Sequence, residues 1–327
     1  MTPADLSLTV LHAVRSAVDD GALRVDVPPR VKVERARPGG VGEYASNVAL
    51  ALARPAGRTA LDVAGILKER LLRAPGVRGV EITGPGFLNF SLRRDTDTAA
   101  DLVRAIRDAG TAYGTGTALA GTAVRFAEPV EPRAALVTGT VVRLLAGQGA
   151  DAGYGGTERI HVMPGAYAEG ALGSDAARWA LLRAAPQDRP LDGPPLLARH
   201  ERNGLFRVQY AYSRTRRLLV NGGQLGFTPL YEEPLRDALP DAVPLLRLLG
   251  DHPLVLAAAA RHRAPDRVAR QLEAVADALL GFQHTVLPLG DEKPSAAHRS
   301  RLALAEAAGT VLAGGLSVLG ISAPDRI

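Results

Sequence analysis

Residues 199–220 read Arg-His-Glu-Arg-Asn-Gly-Leu-Phe-Arg-Val-Gln-Tyr-Ala-Tyr-Ser-Arg-Thr-Arg-Arg-Leu-Leu-Val, and their spacing decides the fold of the second half of the chain. Wound as a helix, Leu205, Val208, Tyr212, Thr215 and Leu219 share one face, while Asn203, Arg207, Tyr210, Arg214 and Arg217 share the opposite one. One face reads as core; the other is basic with an aromatic ring set into it. Between Arg199 and Arg217 stand six arginines against the single acid Glu201, the densest positive stretch in the sequence. Guanidinium groups pair bidentately with phosphate and stack on bases, and a tyrosine ring offers a platform for an unstacked base. Composition alone equally allows a solvated arginine-rich face with the tyrosine packed on a neighbouring helix.

Outward from this helix, strand signals vanish after Ser174. Helical stripes recur at 176–182, 243–249, 254–262, 268–282 and 298–319, which predicts an antiparallel all-α bundle. The other end of the chain alternates. An amphipathic helix over 5–18 is followed by a strand at 31–35, a Pro-Gly-Gly turn at 38–40, and helices at 44–53 and 61–72. Strands at 80–83 and 87–92 flank the tight Gly84-Pro85-Gly86 connection, and a helix over 99–109 closes the unit. The spacing thus predicts an α+β domain over 1–118, a Gly- and Pro-broken stretch over 119–172 and the helix bundle over 173–327. The middle stretch offers one strand at 123–127 and one helix at 137–145.

Bulk properties set wider bounds. A chain of 327 residues with 46% hydrophobic content can bury one or two ordinary cores. It has no cysteine, hence neither a disulfide framework nor a thiolate zinc site. No segment offers the ~18 uninterrupted apolar residues of a membrane span, and the N-terminus lacks a basic stretch followed by an apolar run. The expectation is a cytoplasmic protein with no membrane partner. Net charge is +5, almost all of it arginine, with lysine only at Lys32, Lys68 and Lys293. That suits a polyanion partner, and it is equally what a GC-rich genome produces.

Other chemistry finds little footing. The seven histidines have no metal-ligand spacing, Gly147-Gln148-Gly149 follows a helix-like run where a dinucleotide loop should follow a strand, and phosphate-loop and Gly-x-Ser-x-Gly motifs are absent. No cofactor or metal is expected.

Five segments, in order, resemble the arginyl-tRNA synthetase family. Gly42-Glu-Tyr-Ala-Ser-Asn-Val-Ala-Leu and Gly84-Pro-Gly-Phe-Leu-Asn-Phe resemble that family's N-terminal additional domain. Ser174-Asp-Ala-Ala-Arg-Trp-Ala-Leu-Leu, Val208-Gln-Tyr-Ala-Tyr-Ser-Arg and the closing Val311–Ile327 stretch resemble its DALR anticodon-binding bundle. The resemblance implies that Phe87 and Asn89 contact the tRNA D-loop at the elbow. It implies that Tyr210 and Ile327 pack against anticodon bases, with Arg207, Arg214 and Arg217 on the anticodon arm. Arg207 stands where the family has an aromatic, and Tyr212 where it has a histidine.

Between these ends, Arg125-Phe-Ala-Glu-Pro-Val-Glu-Pro-Arg keeps the rhythm of the family's first catalytic strand and turn. The family's His-x-Gly-His element is missing, and a degenerate Val162-Met-Pro-Gly stands where its Lys-Met-Ser-Lys loop belongs. A complete nucleotide-binding domain needs on the order of 150 residues. Residues 119–172 therefore read as a short remnant of an α/β catalytic domain. The expectation is a non-enzymatic tRNA-binding protein, with arginine tRNA as the ligand. The alternatives are an interaction module partnering a synthetase or another tRNA-dependent enzyme, and residual arginine–tRNA ligase activity.

Overall fold

The computed structural model describes residues 3–36, 41–92, 98–232 and 240–327. Two compact units emerge, Met1–Thr98 and Ala99–Ile327. The Pro-Gly-Gly turn expected at 38–40 lies outside the described residues.

In the first unit, α1 (Pro3–Asp19), α2 (Val48–Ala53) and α3 (Ala60–Leu71) pack with an antiparallel sheet of β1 (Val33–Arg35), β2 (Tyr44–Ser46), β3 (Val77–Thr83) and β4 (Phe87–Leu92) in the order β1-β2-β4-β3. The core joins Leu6, Val10 and Val14 of α1 with Val63, Leu67 and Leu71 of α3 and with Leu88, Phe90 and Leu92 of β4. This is the α+β unit expected, with one correction: residues 44–46 form a strand, and the helix begins only at Val48. Tyr44 and Ser46 alternate inward with period two, and Tyr44 pairs with Arg35 on one side and Phe90 on the other. Three residues of alternation beside a helical stripe are too few to be read as a strand.

Two motif glycines have steric reasons. Gly42, at φ +77°, would place a Cβ 2.7 Å from the Phe90 carbonyl oxygen, and Gly86, at φ +132°, would place one 2.9 Å from that of Ala60. Both let the chain pass close to backbone on either side of the β2–β4 pairing.

The second unit begins earlier than the expected boundary at 118. Helix α4 (Thr98–Ala109) puts Leu102, Val103 and Ile106 into the core of this unit, and Arg107 forms an ion pair with Glu306 at 3.2 Å. The middle stretch is likewise part of that core. Strands β5 (Ala123–Phe126) and β6 (Asp151–Tyr154) pair in parallel, joined by α5 (Pro132–Gly147). Pro132 does not break this helix but starts it at the first turn, where a missing N–H costs nothing, behind the N-cap Glu131. Strand β6, Asp-Ala-Gly-Tyr, carries no β-branched residue and was not legible in the sequence.

After the single turn α6 (Glu169–Leu172) come α7 (Ser174–Leu182), α8 (Gly204–Gln224), α9 (Ala242–His262), α10 (Asp266–Phe282) and α11 (Ala296–Leu319). They form the expected bundle. Helices α9 and α11 are long and apolar enough to cross a membrane, but 50% and 72% of their most apolar windows are buried within the unit, as in core helices of a bundle.

Two helices were expected where α9 runs unbroken through Pro253. Proline cannot donate to the carbonyl four residues back, that of Leu249. The Tyr113 hydroxyl supplies the missing donor at 3.3 Å, and its ring stacks on His252 with centroids 6.2 Å apart. His252 is 1% exposed, its Nδ1 has no hydrogen-bond partner among the described residues, and burial lowers its pKa to about 4. As pH falls below the ordinary histidine value, the unfolded chain gains a proton that the folded one refuses. Stability should therefore fall between pH ~6.5 and ~4, by on the order of 3 kcal/mol. Urea titrations at a series of pH values check this; His252→Gln should flatten the dependence, and an equally steep one in that variant would contradict it.

Candidate nucleic-acid interface

Helix α8 is set by its N-cap. Asn203 accepts from the Phe206 N–H at 3.2 Å, and its amide donates to the carbonyls of Leu196 and Ala198 at 2.7 and 2.9 Å. Asn203 is therefore buried, not exposed with the arginines as its helical angle suggested. Leu205, Val208, Ala211, Thr215 and Leu218 form the buried stripe. Opposite it, at three- and four-residue steps, lie Phe206, Tyr210, Ser213, Arg217 and Val220.

On that outer face the Phe206 and Tyr210 rings stack at 5.6 Å, tilted by 16°, and Tyr210 is 38% exposed. Arg217 is exposed and makes no ion pair among the described residues. Phe206 was not among the expected contacts. Its spacing of four from Tyr210 is the signal that could have found it, and it sets an aromatic beside the position where Arg207 replaces one.

The other predicted arginines of α8 lie on a flank. Arg207 pairs with Asp277 of α10 at 2.9 Å and donates to the Glu201 carbonyl at 2.8 Å. Arg214 donates to Gln283 Oε1 at 2.8 Å. The C-terminal segment covers the opposite flank and reaches onto the outer face at Ser213. Ser213 donates to the Pro324 carbonyl at 2.7 Å, Arg216 pairs with Asp325 at 3.0 Å, and Tyr212 donates to the same carboxylate at 3.2 Å. Burial, with the Asp325 charge, pushes the Tyr212 phenol above its ordinary pKa. Asp175 accepts from Gln209 and from both the N–H and hydroxyl of Ser322. Ile327, two residues beyond Asp325, remains 43% exposed. Of the expected anticodon-arm residues, Tyr210, Arg217 and Ile327 are open to a ligand, while Arg207 and Arg214 are already engaged.

In the first unit, Phe87 and Asn89 alternate with Leu88 and Phe90, so they share the sheet face turned away from the core. Phe87 is 40% exposed. Asn89 is only 8% exposed, and its amide donates to Thr83 Oγ1 at 2.7 Å, with longer contacts to the carbonyls of Glu81 and Phe87. Asn89 thus braces the hairpin that presents Phe87.

At the start of α5, Glu131 Oε2 accepts from the Ala134 N–H at 2.6 Å and Oε1 from the Gly165 N–H at 2.8 Å. Burial opposes its charge, but the backbone N–H groups of Gly165, Ala134 and Arg133, with the Arg133 charge, hold its pKa below the usual carboxylate range. Arg133 is fully buried and donates to five backbone carbonyls, those of Leu181, Ala184, Ala185, Met163 and Asp188, at 2.7–3.1 Å. Burial lowers its pKa, opposed by the charges of Glu131, Asp188 and Asp266. Neither residue stood out in the sequence, because their partners are backbone groups of distant segments.

Comparison with known proteins agrees with this layout. The family described as "Arginyl tRNA synthetase N terminal domain" matches residues 8–92, and "DALR anticodon binding domain" matches residues 208–327. Residues 93–207 lie outside both matches. The chain is 40% identical over 164 residues to the arginine–tRNA ligase of Paenarthrobacter aurescens, covering 46% of this chain and 30% of that protein. It is 46% identical over 114 residues to the arginine–tRNA ligase of Frankia alni, covering 35% and 20%. The aligned portion is thus less than a third of either relative's length. In fold, the chain is similar to the Thermus thermophilus arginyl-tRNA synthetase, with a TM-score of 0.67 at 13% identity over 100% of both chains. The Plasmodium falciparum enzyme gives 0.63 at 8% over 99% of each.

Proposed function

From a chain whose two ends belong to the arginyl-tRNA synthetase family, as an N-terminal domain and a DALR anticodon-binding domain, we propose a protein that binds tRNA without charging it. One observation carries the reading. The segment matched to the anticodon-binding domain contains most of the outer face of α8, where Tyr210, stacked on Phe206, shares a helix face with Arg217 two turns on, an arginine with no acid partner among the described residues. Stacking plus an exposed cation is what an unpaired loop base and its phosphate require. The anticodon arm meets Tyr210, Arg217 and Ile327, with Arg207 and Arg214 adding charge from the α10 flank. Phe87 takes the D-loop, positioned by Asn89. Arginine tRNA is the expected ligand, since the curated relatives are arginine–tRNA ligases.

The absence of chemistry rests on what fills the remnant. A helix N-terminus after a parallel strand is a natural anion site. At α5 that position is held by the carboxylate of Glu131, which would repel a phosphate. The same carboxylate binds the Gly165 N–H, and Arg133 binds the Met163 carbonyl, so the stretch that keeps the rhythm of the family's first catalytic strand and turn is bonded to the stretch that stands where its Lys-Met-Ser-Lys loop belongs. The Glu131 carboxylate, the Met163 carbonyl and the Gly165 N–H are thereby occupied internally.

Filter binding to total tRNA, against a basic protein of equal charge and at two salt concentrations, tests the binding. ATP–pyrophosphate exchange with arginine and tRNA tests the chemistry. The reading expects preferential tRNA binding and no exchange. Affinity no better than the basic control, or exchange above background, would contradict it.

A further inference from the structure

A second cationic cluster lies away from α8, where the β5-α5-β6 crossover meets the C-terminal end of α11. Arg143 of α5 and Arg178 of α7 converge there on Gly320, whose φ of +71° ends α11. A side-chain carbon on Gly320 would stand 3.0 Å from Arg178 Nη1 and 3.5 Å from Arg143 Nη2. Neither guanidinium has a carboxylate within 4.0 Å among the described residues. Asp175, one turn before Arg178, is occupied by Gln209 and Ser322.

The arrangement is more than a helix cap. Arg143 Nε donates to the Val318 carbonyl at 3.0 Å, and its Nη2 donates to Thr140 Oγ1 at 3.0 Å. The end of α11 contributes roughly half a negative charge, against two full positive ones. An excess of more than one positive charge remains. Burial and the nearby Arg178 charge both lower the Arg143 pKa, as expected for like charges held together without an anion.

Two tyrosines complete the patch. Arg178 lies over the Tyr167 ring, 5.9 Å from its centroid. Tyr154, at the end of β6, is 39% exposed and lies along α5 over Gly139, where a side chain would come within 3.4 Å of its hydroxyl. Gly139 stands one helical turn before Arg143, so the ring is left beside the guanidinium.

We propose that Arg143 and Arg178, with Tyr154 beside them, bind the sugar-phosphate backbone of RNA at a further station, apart from the aromatic face of α8. Arg143 and Arg178 hold a phosphodiester, and Tyr154 stacks against an adjacent sugar or unpaired base. This rests on the tRNA-binding reading above, and it assigns the remnant of the catalytic region a part in that binding.

The test is fluorescence anisotropy of labelled bulk tRNA with the full chain over a range of salt. Arg143→Gln with Arg178→Gln should weaken binding about tenfold and make the slope of log affinity against log salt shallower by about one to two. Tyr154→Ala should weaken binding without changing that slope. Arg178→Gln alone, which removes no hydrogen bond among the described residues, should show about half the slope change. It decides the matter should the double variant lose thermal stability. Phosphate-ethylation interference should mark phosphates whose modification blocks binding by the wild type and by Arg217→Ala but no longer matters to the Arg143 and Arg178 variants. If Arg178→Gln and the double variant keep wild-type affinity, slope and interference pattern while Arg217→Ala is weakened, this site is wrong and the wider reading stands. If the wild type shows no preference for tRNA, both fall.

Discussion

Replacing Arg133 with methionine should lower the stability of the second unit by about 3–5 kcal/mol. The guanidinium is fully buried and serves five carbonyls; that of Leu181 lies in the last turn of α7, where a helix leaves acceptors without intrahelical donors, and those of Ala184 and Ala185 lie in the segment just after it. The remaining two belong to Met163 and Asp188. Methionine would fill much of the volume and satisfy none of them. Lysine should recover little, because three ammonium donors on a single nitrogen cannot reach carbonyls spread over five residues. Urea unfolding followed by the fluorescence of Trp179, which is buried in the same core, reads the loss. The exposed Arg104, paired with Asp101 one turn earlier, is the control, and its alanine variant should change stability by less than about 0.5 kcal/mol. An Arg133→Met protein with the wild-type midpoint would show that the remnant is not stitched to the bundle in this way.

Tyr210→Ala combined with Arg217→Ala should reduce tRNA affinity about a hundredfold, from the loss of a stacked base and of a phosphate contact. The salt slope should become shallower by about one. Adding Arg214→Ala should do less than its charge suggests, because Arg214 is already bound to Gln283. Arg207→Ala should likewise have a smaller effect, since Asp277 neutralises it. Anisotropy titrations of the three variants rank these effects. Equal losses from Arg207→Ala, Arg214→Ala and Arg217→Ala would mean that the ligand rearranges the α10 flank.

Much of this was legible in the sequence because periodicity and steric necessity are local. The stripe Leu205, Val208, Thr215 predicted α8 and its buried side, and Gly84-Pro85-Gly86 predicted the hairpin that carries Phe87. What failed depends on distant partners. The sequence placed α4 with the first domain, since nothing local shows that Leu102 and Ile106 pack into the bundle. It split α9 at Pro253, because the Tyr113 hydroxyl that replaces the lost donor lies 140 positions earlier in the chain. Helical angle alone put Arg207, Arg214 and Arg217 on one face. Among the described residues only Arg217 of the three has no partner, because acceptors on α10 and in the turn after it draw the other two aside. Arg143 and Arg178 fall in separate helices whose meeting at Gly320 no local pattern announces.

The central claim is that one RNA is gripped by both ends of this chain, with no chemistry between them. The most direct measurement is a nuclease and hydroxyl-radical footprint of an arginine tRNA bound to the purified protein. The account predicts protection of the D-loop and the anticodon arm in the same complex, with the anticodon-arm protection lost in Tyr210→Ala with Arg217→Ala while the D-loop protection persists. An RNA left uniformly cleaved, or protection that follows total charge and is the same on an unrelated hairpin, would contradict it.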